Sequence, residues 1–454
     1  MQHPKLAVLG CGSLFFGREA IWQMVHSPDL NGGTLALVDT DRQRLAKMAE
    51  LARKVIAHVG VKLAVEASAD RREVLEGADF VVITFANESV KYRDIDCRVS
   101  AKYGARMCSG DTIGPGGVFR ALRELPTVMA VARDVERICP KAWLINYANP
   151  TAVMGVALKR FAPRLKTFAL CDGNRMPGVR RHYAVRAGIV DSPEQYTDQV
   201  DRRFDMRIAG PNHFTWLIKA AYDGKDVLGR IADWFAREAQ EEGAAGDSKQ
   251  RFNSRITREL YDIFGAIPTA PSHTKEYVRF WQGLGKTPEP LPPLTLWDAQ
   301  ARYKRHDDMW RQVDDFLSGR LPIDQYMKTF SSDHATDIIE TIWSGRKRQF
   351  YINTLNDGAV ANLGPDRLME LLCDVDGDGP RPCPIGDVPA GLRGLMSQVL
   401  DTHELTAEAA VKCDRGLLRR AMLTDPLVSS IADADAMIGE LLQAERQALP
   451  DCWF

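Results

Sequence analysis

Short apolar runs alternate with stretches of helical spacing along the first part of the chain. Lys5–Leu9 is an apolar run closed by Gly10-Cys11-Gly12-Ser13, and apolar positions at helical spacing follow to about His26. Thr34–Val38 is a second run, ended by Asp39-Thr40-Asp41, and Asp79–Phe85, Trp143–Ile145 and Thr167–Leu170 read as further buried strands. Val118–Ile138 has helical spacing without an interior glycine, and Pro126 is expected to bend or divide it. Strands alternating with helices predict a parallel, doubly wound sheet.

Beyond Gly188 the rhythm changes. Helical stretches appear at 226–242, 250–264, 404–423 and 430–447, with strand-like pieces at 213–220, 349–353 and 370–375. The whole pattern predicts an α/β protein with two domains. An N-terminal Rossmann-type doubly wound parallel sheet would span residues 1–195, and a C-terminal α+β domain residues 196–454. Thr287–Pro293, with four prolines, reads as a surface loop.

Composition narrows the function classes. Lys and Arg total 59 against 60 Asp and Glu, a formal net charge of -1, so no global field favours nucleic acid or an anionic membrane. No run of 18 apolar residues predicts a membrane span, and the start, MQHPKLAVLGCGS, lacks the pattern of a signal peptide. The nine cysteines are odd in number and widely spread, so neither a disulfide framework nor a zinc ribbon is expected. These features predict a cytoplasmic protein in a reducing compartment.

Gly10 and Gly12 lie between a strand and a helix, where a tight turn brings backbone N–H groups to a pyrophosphate. The third glycine of GxGxxG is missing, since position 15 is Phe and Gly17 comes two residues later. Asp39 ends the second strand, where a carboxylate accepts hydrogen bonds from ribose hydroxyls and repels the 2′-phosphate of NADP+. Bound NAD+ is therefore predicted, with Ser13, Leu14, Asn87 and Asn146 completing its candidate contacts.

Four polar clusters follow predicted strands. They are Gly110-Asp111-Thr112, Asn146-Tyr147-Ala148-Asn149-Pro150, Cys171-Asp172-Gly173-Asn174 and Gly210-Pro211-Asn212-His213-Phe214. A thiolate, an imidazole and an amide oxygen can bind a divalent cation and leave positions open for substrate oxygens; a buried cysteine and a hydrogen-bonded loop histidine are the structural alternative. Arg175, Arg180 and Arg181 form either a solvated helix face or a contact to an anionic substrate group. Asp374-Val375-Asp376-Gly377-Asp378-Gly379 opens like a calcium loop, but Ile385 stands where the final Glu is needed, so a turn between strands is expected.

The stretches GCGS, KYGARMCSGDTIGPGGVFRALRELP, WLINYANPTAVM, ALCDGN and GPNHFTWL resemble glycoside hydrolase family 4, the NAD- and metal-dependent glycosidases. The later stretches FGAIPTAPSHTKEYVRFW and YINTLNDGAVANLGPDRLMELLCDVDGDGPRPCPIGDVP continue the resemblance in the family's order. It is nearest to the α-galactosidase and uronidase side around FRALR and HTKEY.

The resemblance implies that Cys171 and His213 are ligands of a divalent metal, usually Mn2+. It further implies that Asn149 contacts the sugar and that Asp172 is the general acid. Asp111 joins the candidate catalytic residues, and Glu88 and Arg175 the candidate substrate contacts. The base would come from the HTKEY segment, either His273, whose imidazole suits proton transfer near neutral pH, or Tyr277.

The implied route takes hydride from C3 of the sugar, removes the C2 proton, expels the aglycone, adds water and returns the hydride. Such enzymes stand outside the two-carboxylate scheme of glycoside hydrolysis. The expected substrate is an α-glycoside, with uronides, sulfosugars, phosphosugars and α-galactosides as candidates, because CDGN departs from the common subgroup signatures. A sugar dehydrogenase releasing NADH and a non-catalytic nucleotide sensor are the competing readings. The family also implies a homodimer or homotetramer.

Overall fold

The apolar runs become strands of one sheet in the computed structural model, which describes residues 3–13, 17–240, 248–282, 297–328 and 334–454. Strands β1 (Lys5–Leu9), β2 (Thr34–Val38), β3 (Ala64–Ser68), β4 (Phe80–Ile83), β5 (Trp143–Asn146) and β6 (Lys166–Ala169) pair in parallel in the order β3-β2-β1-β4-β5-β6. The parallel, doubly wound sheet expected from the sequence is present, and its strand order is that of a Rossmann-type fold. Helices cover both faces, so β4 is buried at every position and reads as a continuous apolar run. Strand β3, AVEAS, escaped the pattern because it lies on the sheet edge and is largely exposed.

The second half extends the same sheet in antiparallel fashion. Its strands are β7 (Phe204–Gly210), β8 (Trp216–Tyr222), β9 (Lys225–Asp226), β10 (Ile267–Pro268), β11 (Arg348–Leu355), β12 (Leu368–Asp376) and β13 (Gly379–Pro382). The order continues from β6 through β11, β12, β7 and β8 to β10, and the seam is Asn353 opposite Ala169. Glu370 of β12 faces Gly210 at the end of β7. That register brings the β7–β8 turn beside the C-terminal ends of β5 and β6.

Several local expectations change. Gly114–Ile138 is one helix with Pro126 inside it, undivided because Leu122, Leu125 and Val128 pack it into the core. The single helix expected at 404–423 is two, Ala390–Lys412 and Arg415–Thr424, broken where Cys413 turns left-handed (φ 56°) and Asp414 caps the next helix. The Asp374–Gly379 segment is the hairpin between β12 and β13. The cysteines are not all unpaired: Cys413 and Cys452 form a disulfide across 39 residues, with Cα atoms 6.2 Å apart. No short spacing marks such a pair, because only the fold of the last helices brings them together. The proline-rich loop at Thr287–Pro293 lies outside the described residues. Among the described residues, no helix is long and apolar enough to cross a membrane.

Candidate functional site

The C-terminal ends of β1, β2 and β4 open into a cavity of about 1100 Å³ that runs from Asp39 to Cys171 and His213. An open α/β sheet collects ligands here, where the strand order reverses between β1 and β4. At the Asp39 end, the Gly10 turn is tight. Its φ is +92°, and a Cβ would lie 2.6 Å from the Phe85 backbone nitrogen. The Gly12 amide donates to Asp39 Oδ2 at 2.8 Å, and the Asp41 amide to Oδ1 at 2.9 Å. Gly17 takes the part of the missing third glycine. It starts the Gly17–His26 helix, and a Cβ there would meet the Cys11 carbonyl oxygen at 2.1 Å. Close helix–strand approach is thus kept with a turn two residues longer.

At the other end, His213 Nε2 lies 3.1 Å from Cys171 Sγ. The opposite nitrogen, Nδ1, is 3.0 Å from Thr112 Oγ1 and 3.8 Å from Asp111 Oδ1. Burial pushes the Cys171 thiol well above its ordinary range, and Glu370 and Asp172 add to this. A cation that displaces the thiol proton would relieve that position. Thiolate, imidazole and a neighbouring carboxylate together make a donor set that fits a divalent metal. Asp111, His213 and His273 also bring one ligand atom each within 4.8 Å of one another.

Asp111 is buried among cations. Burial by itself would raise its carboxyl, but Arg93, His213, Arg120 and His273 reverse this and hold it below the ordinary range. The Arg93 and Arg120 guanidinium groups stand 3.4 Å and 3.7 Å from Asp111 Oδ2. Asn149 Nδ2 donates to the same oxygen at 3.2 Å. Arg120 Nε and Nη1 are buried without a hydrogen-bond partner, and burial beside Arg93 lowers this guanidinium to about 10.

The HTKEY segment forms the short helix Pro271–Tyr277 beside this cluster. The His273 ring stacks on His213 with centroids 4.7 Å apart, and on Tyr277 at 5.9 Å. His273 is half-buried, whereas Tyr277 is sealed and burial pushes its phenol well above the ordinary range. Glu276 accepts the Ser109 and Gly110 amides at 3.0 Å and 2.9 Å, which fixes the loop carrying Asp111.

Other candidates separate into two groups. Gly10, Gly12, Ser13, Asp39, Asn87, Glu88, Asn149 and Asp172 line the cavity. Leu14 lies outside the described residues. Asn146 turns its amide to the Ala148 carbonyl at 2.8 Å and shapes the turn after β5. Arg175 is engaged by Glu19 at 2.5 Å, and Arg180 donates to the Tyr196 hydroxyl and the Phe204 carbonyl.

Glu370 was not singled out in the sequence. It is fully buried and accepts Asn174 Nδ2 at 2.6 Å and Asn212 Nδ2 at 2.9 Å. One carboxylate thereby ties the loop after Cys171 to the residue before His213. A lone acid in the apolar run LMELLC was its only signal. Arg120 lay within the FRALR stretch without being singled out, and Arg93 and Trp310 lay in no quoted motif.

Comparison with known proteins gives concordant matches. A family profile described as "Family 4 glycosyl hydrolase" matches residues 5–182, and its C-terminal domain profile matches residues 208–428. The chain is 28% identical to an alpha-galactosidase of Bacillus subtilis, over 98% of this chain and 99% of that protein. It is 27% identical to an alpha-galacturonidase of the same organism, over 99% of both. Among solved structures, a 6-phospho-alpha-glucosidase from gut microorganisms in complex with NAD and Mn2+ superposes with a TM-score of 0.81 at 20% identity, covering 99% of each chain. A 6-phospho-beta glucosidase of Thermotoga maritima with manganese, NAD+ and glucose-6-phosphate gives 0.76 at 19% identity, over 98% of this chain and 99% of that one.

Proposed function

Because the chain belongs to the family 4 glycosyl hydrolases, we propose that it is an NAD+- and divalent-metal-dependent glycosidase acting on an anionic α-glycoside. The observation that carries this reading is one continuous cavity with a nucleotide turn at one end and the Cys171–His213 pair at the other. Gly10, Gly12 and Asp39 would hold the dinucleotide, and Cys171 and His213 the metal, Mn2+ as in the neighbouring complexes. When bound, NAD+ supplies a reversible hydride acceptor and the metal supplies a Lewis acid for the sugar's oxygens.

The chain's own groups do the rest. Asn149, held on Asp111, orients the sugar hydroxyls. His273 is the better placed base for the C2 proton, because its ring is half-buried beside His213 while Tyr277 is sealed behind it. Asp172 is exposed on the cavity wall next to Cys171 and gives its proton to the departing oxygen. Arg120 lines the cavity, pairs with Asp111 only at 3.7 Å and leaves two buried N–H groups without a hydrogen bond, which supports an anionic substituent on the substrate, since guanidinium matches carboxylate, phosphate and sulfonate oxygens.

A panel of neutral, uronic, 6-phospho and sulfo nitrophenyl α- and β-glycosides, assayed with NAD+, Mn2+ and reductant, tests the reading. The expected result is aglycone release without net NADH, with solvent deuterium entering C2 of the product. Stoichiometric NADH without aglycone would instead establish a dehydrogenase.

A further inference from the structure

The helix Ala299–Ser318 belongs to the second half of the chain yet lies along the wall of the nucleotide cavity. Arg302, His306 and Trp310, spaced four residues apart, share one helical stripe and all line that cavity. From Asp298 to Trp310 the helix runs roughly 18 Å. It thus spans the space between the two ends of the site. At the sugar end the Arg93 guanidinium lies over Trp297, 4.0 Å from the ring centroid. At the nucleotide end Trp310 faces Arg44, whose guanidinium is 5.5 Å from its centroid.

This helix is fastened to the nucleotide-binding half. Lys54 Nζ donates to the Phe316 and Leu317 carbonyls at 3.0 Å and 2.8 Å, near the helix C-terminus, where a cation is favoured. Lys47 pairs with Asp314 at 2.6 Å, and Arg18 Nη1 donates to Gln312 Oε1 at 2.8 Å. Trp310 sits between these anchors and the cavity, so its indole is held in place and only half-buried. A fixed, half-exposed indole next to the Asp39 turn suits a flat, uncharged π-system.

We propose that Trp310 is the stacking platform for the adenine of the dinucleotide, so that the cofactor is clasped between the Asp39 turn and the Ala299–Ser318 helix. The inference rests on the nucleotide reading above and adds to it a contact from the other half of the chain. Asp39 receives the adenosine ribose in that reading, and the base attached to that ribose is the cofactor's uncharged aromatic ring and the one nearer Trp310. The pyrophosphate and nicotinamide lie farther along the cavity.

Binding titrations of the full chain, without turnover, test this. NAD+, ADP-ribose and nicotinamide mononucleotide are compared on the wild type, Trp310→Ala and Trp310→Phe. Loss of a base–aromatic stack should weaken NAD+ and ADP-ribose by roughly 5- to 150-fold in Trp310→Ala. Nicotinamide mononucleotide, which lacks adenosine, should bind all three proteins alike, and Trp310→Phe should retain most of the NAD+ affinity. Unchanged NAD+ binding in Trp310→Ala, equal weakening of the mononucleotide, or a Phe variant as weak as Ala each overturns the proposal. A wild type that binds no NAD+ overturns the nucleotide reading as well, so the two failures are distinct.

Discussion

The imidazole Nε2 of His213 stands 3.1 Å from the Cys171 sulfur, although 42 residues separate them in the chain. Neither residue gains from this proximity alone, because burial holds the Cys171 thiol well above its ordinary range. In the proposed site both side chains would hold a divalent cation. Cys171→Ser and His213→Ala are expected to lower hydrolysis by about 100-fold or more, the equivalent of several kcal/mol of lost charge stabilisation. Titration of activity with Mn2+ after chelation checks this. A Cys171→Ser enzyme with wild-type activity and metal dependence would remove the pair from the metal site.

Glu370 acts through other residues. Its two oxygens hold Asn174 and Asn212, one on each loop that presents a proposed metal ligand. Glu370→Gln keeps the volume but turns an amide donor toward a second amide donor. Supporting contacts of this kind are worth about 10- to 100-fold in metal affinity or activity. The Mn2+ concentration giving half-maximal activity should rise accordingly, while NAD+ binding at the far end of the cavity changes little. Equal loss of both affinities would indicate general unfolding instead.

What the sequence made legible follows from how each feature is built. Strands buried on both faces, such as β1 and β4, announce themselves as apolar runs, and the turn residues Gly10, Gly12 and Asp39 carry a local signature. The exposed edge strand β3 has no such contrast. Residues that act through long-range register were hidden: Glu370 matters because β12 pairs with β7, and Trp310 because a distant helix packs against the Arg42–Val59 helix. The Arg175 guanidinium shows the reverse case. It follows CDGN directly in sequence, yet Glu19 takes it up.

Asp39 is already bonded before any ligand arrives, by the amides of Gly12 and Asp41. Its carboxylate is therefore fixed in place, with capacity left to accept ribose hydroxyls. Asp39→Asn should raise the Kd for NAD+ by roughly 10-fold, as charge-assisted bonds become neutral ones. The same change removes the repulsion toward a 2′-phosphate, so preference for NAD+ over NADP+ should narrow. Parallel titrations with both nucleotides decide it. An undiminished preference would place the discrimination elsewhere, for instance with Asp41 or Asp70, which also line the cavity.

Two buried histidines each contribute stability that acid removes. Burial lowers His334 and His403 from an ordinary 6.5 to about 4. The unfolded chain therefore binds more protons between those values, so their contribution is complete above pH 6.5 and is lost as pH falls toward 4. Each is worth on the order of 3 kcal/mol over that window. Asp425 opposes them. Burial raises its carboxyl from 3.8 to about 6, so its penalty is present above 6 and is relieved as pH falls toward 3.8. That relief is also on the order of 3 kcal/mol, and the buried carboxyls of Glu124, Glu370 and Glu445, which burial likewise raises, act in the same sense. Thermal midpoints at pH 7 and 4, compared between the wild type and single variants, separate the two groups. Asp425→Asn should make the midpoint fall further from pH 7 to 4 than in the wild type, and His403→Gln should make it fall less; a His403→Gln protein with the wild-type pH dependence would refute the assignment of a neutral buried imidazole.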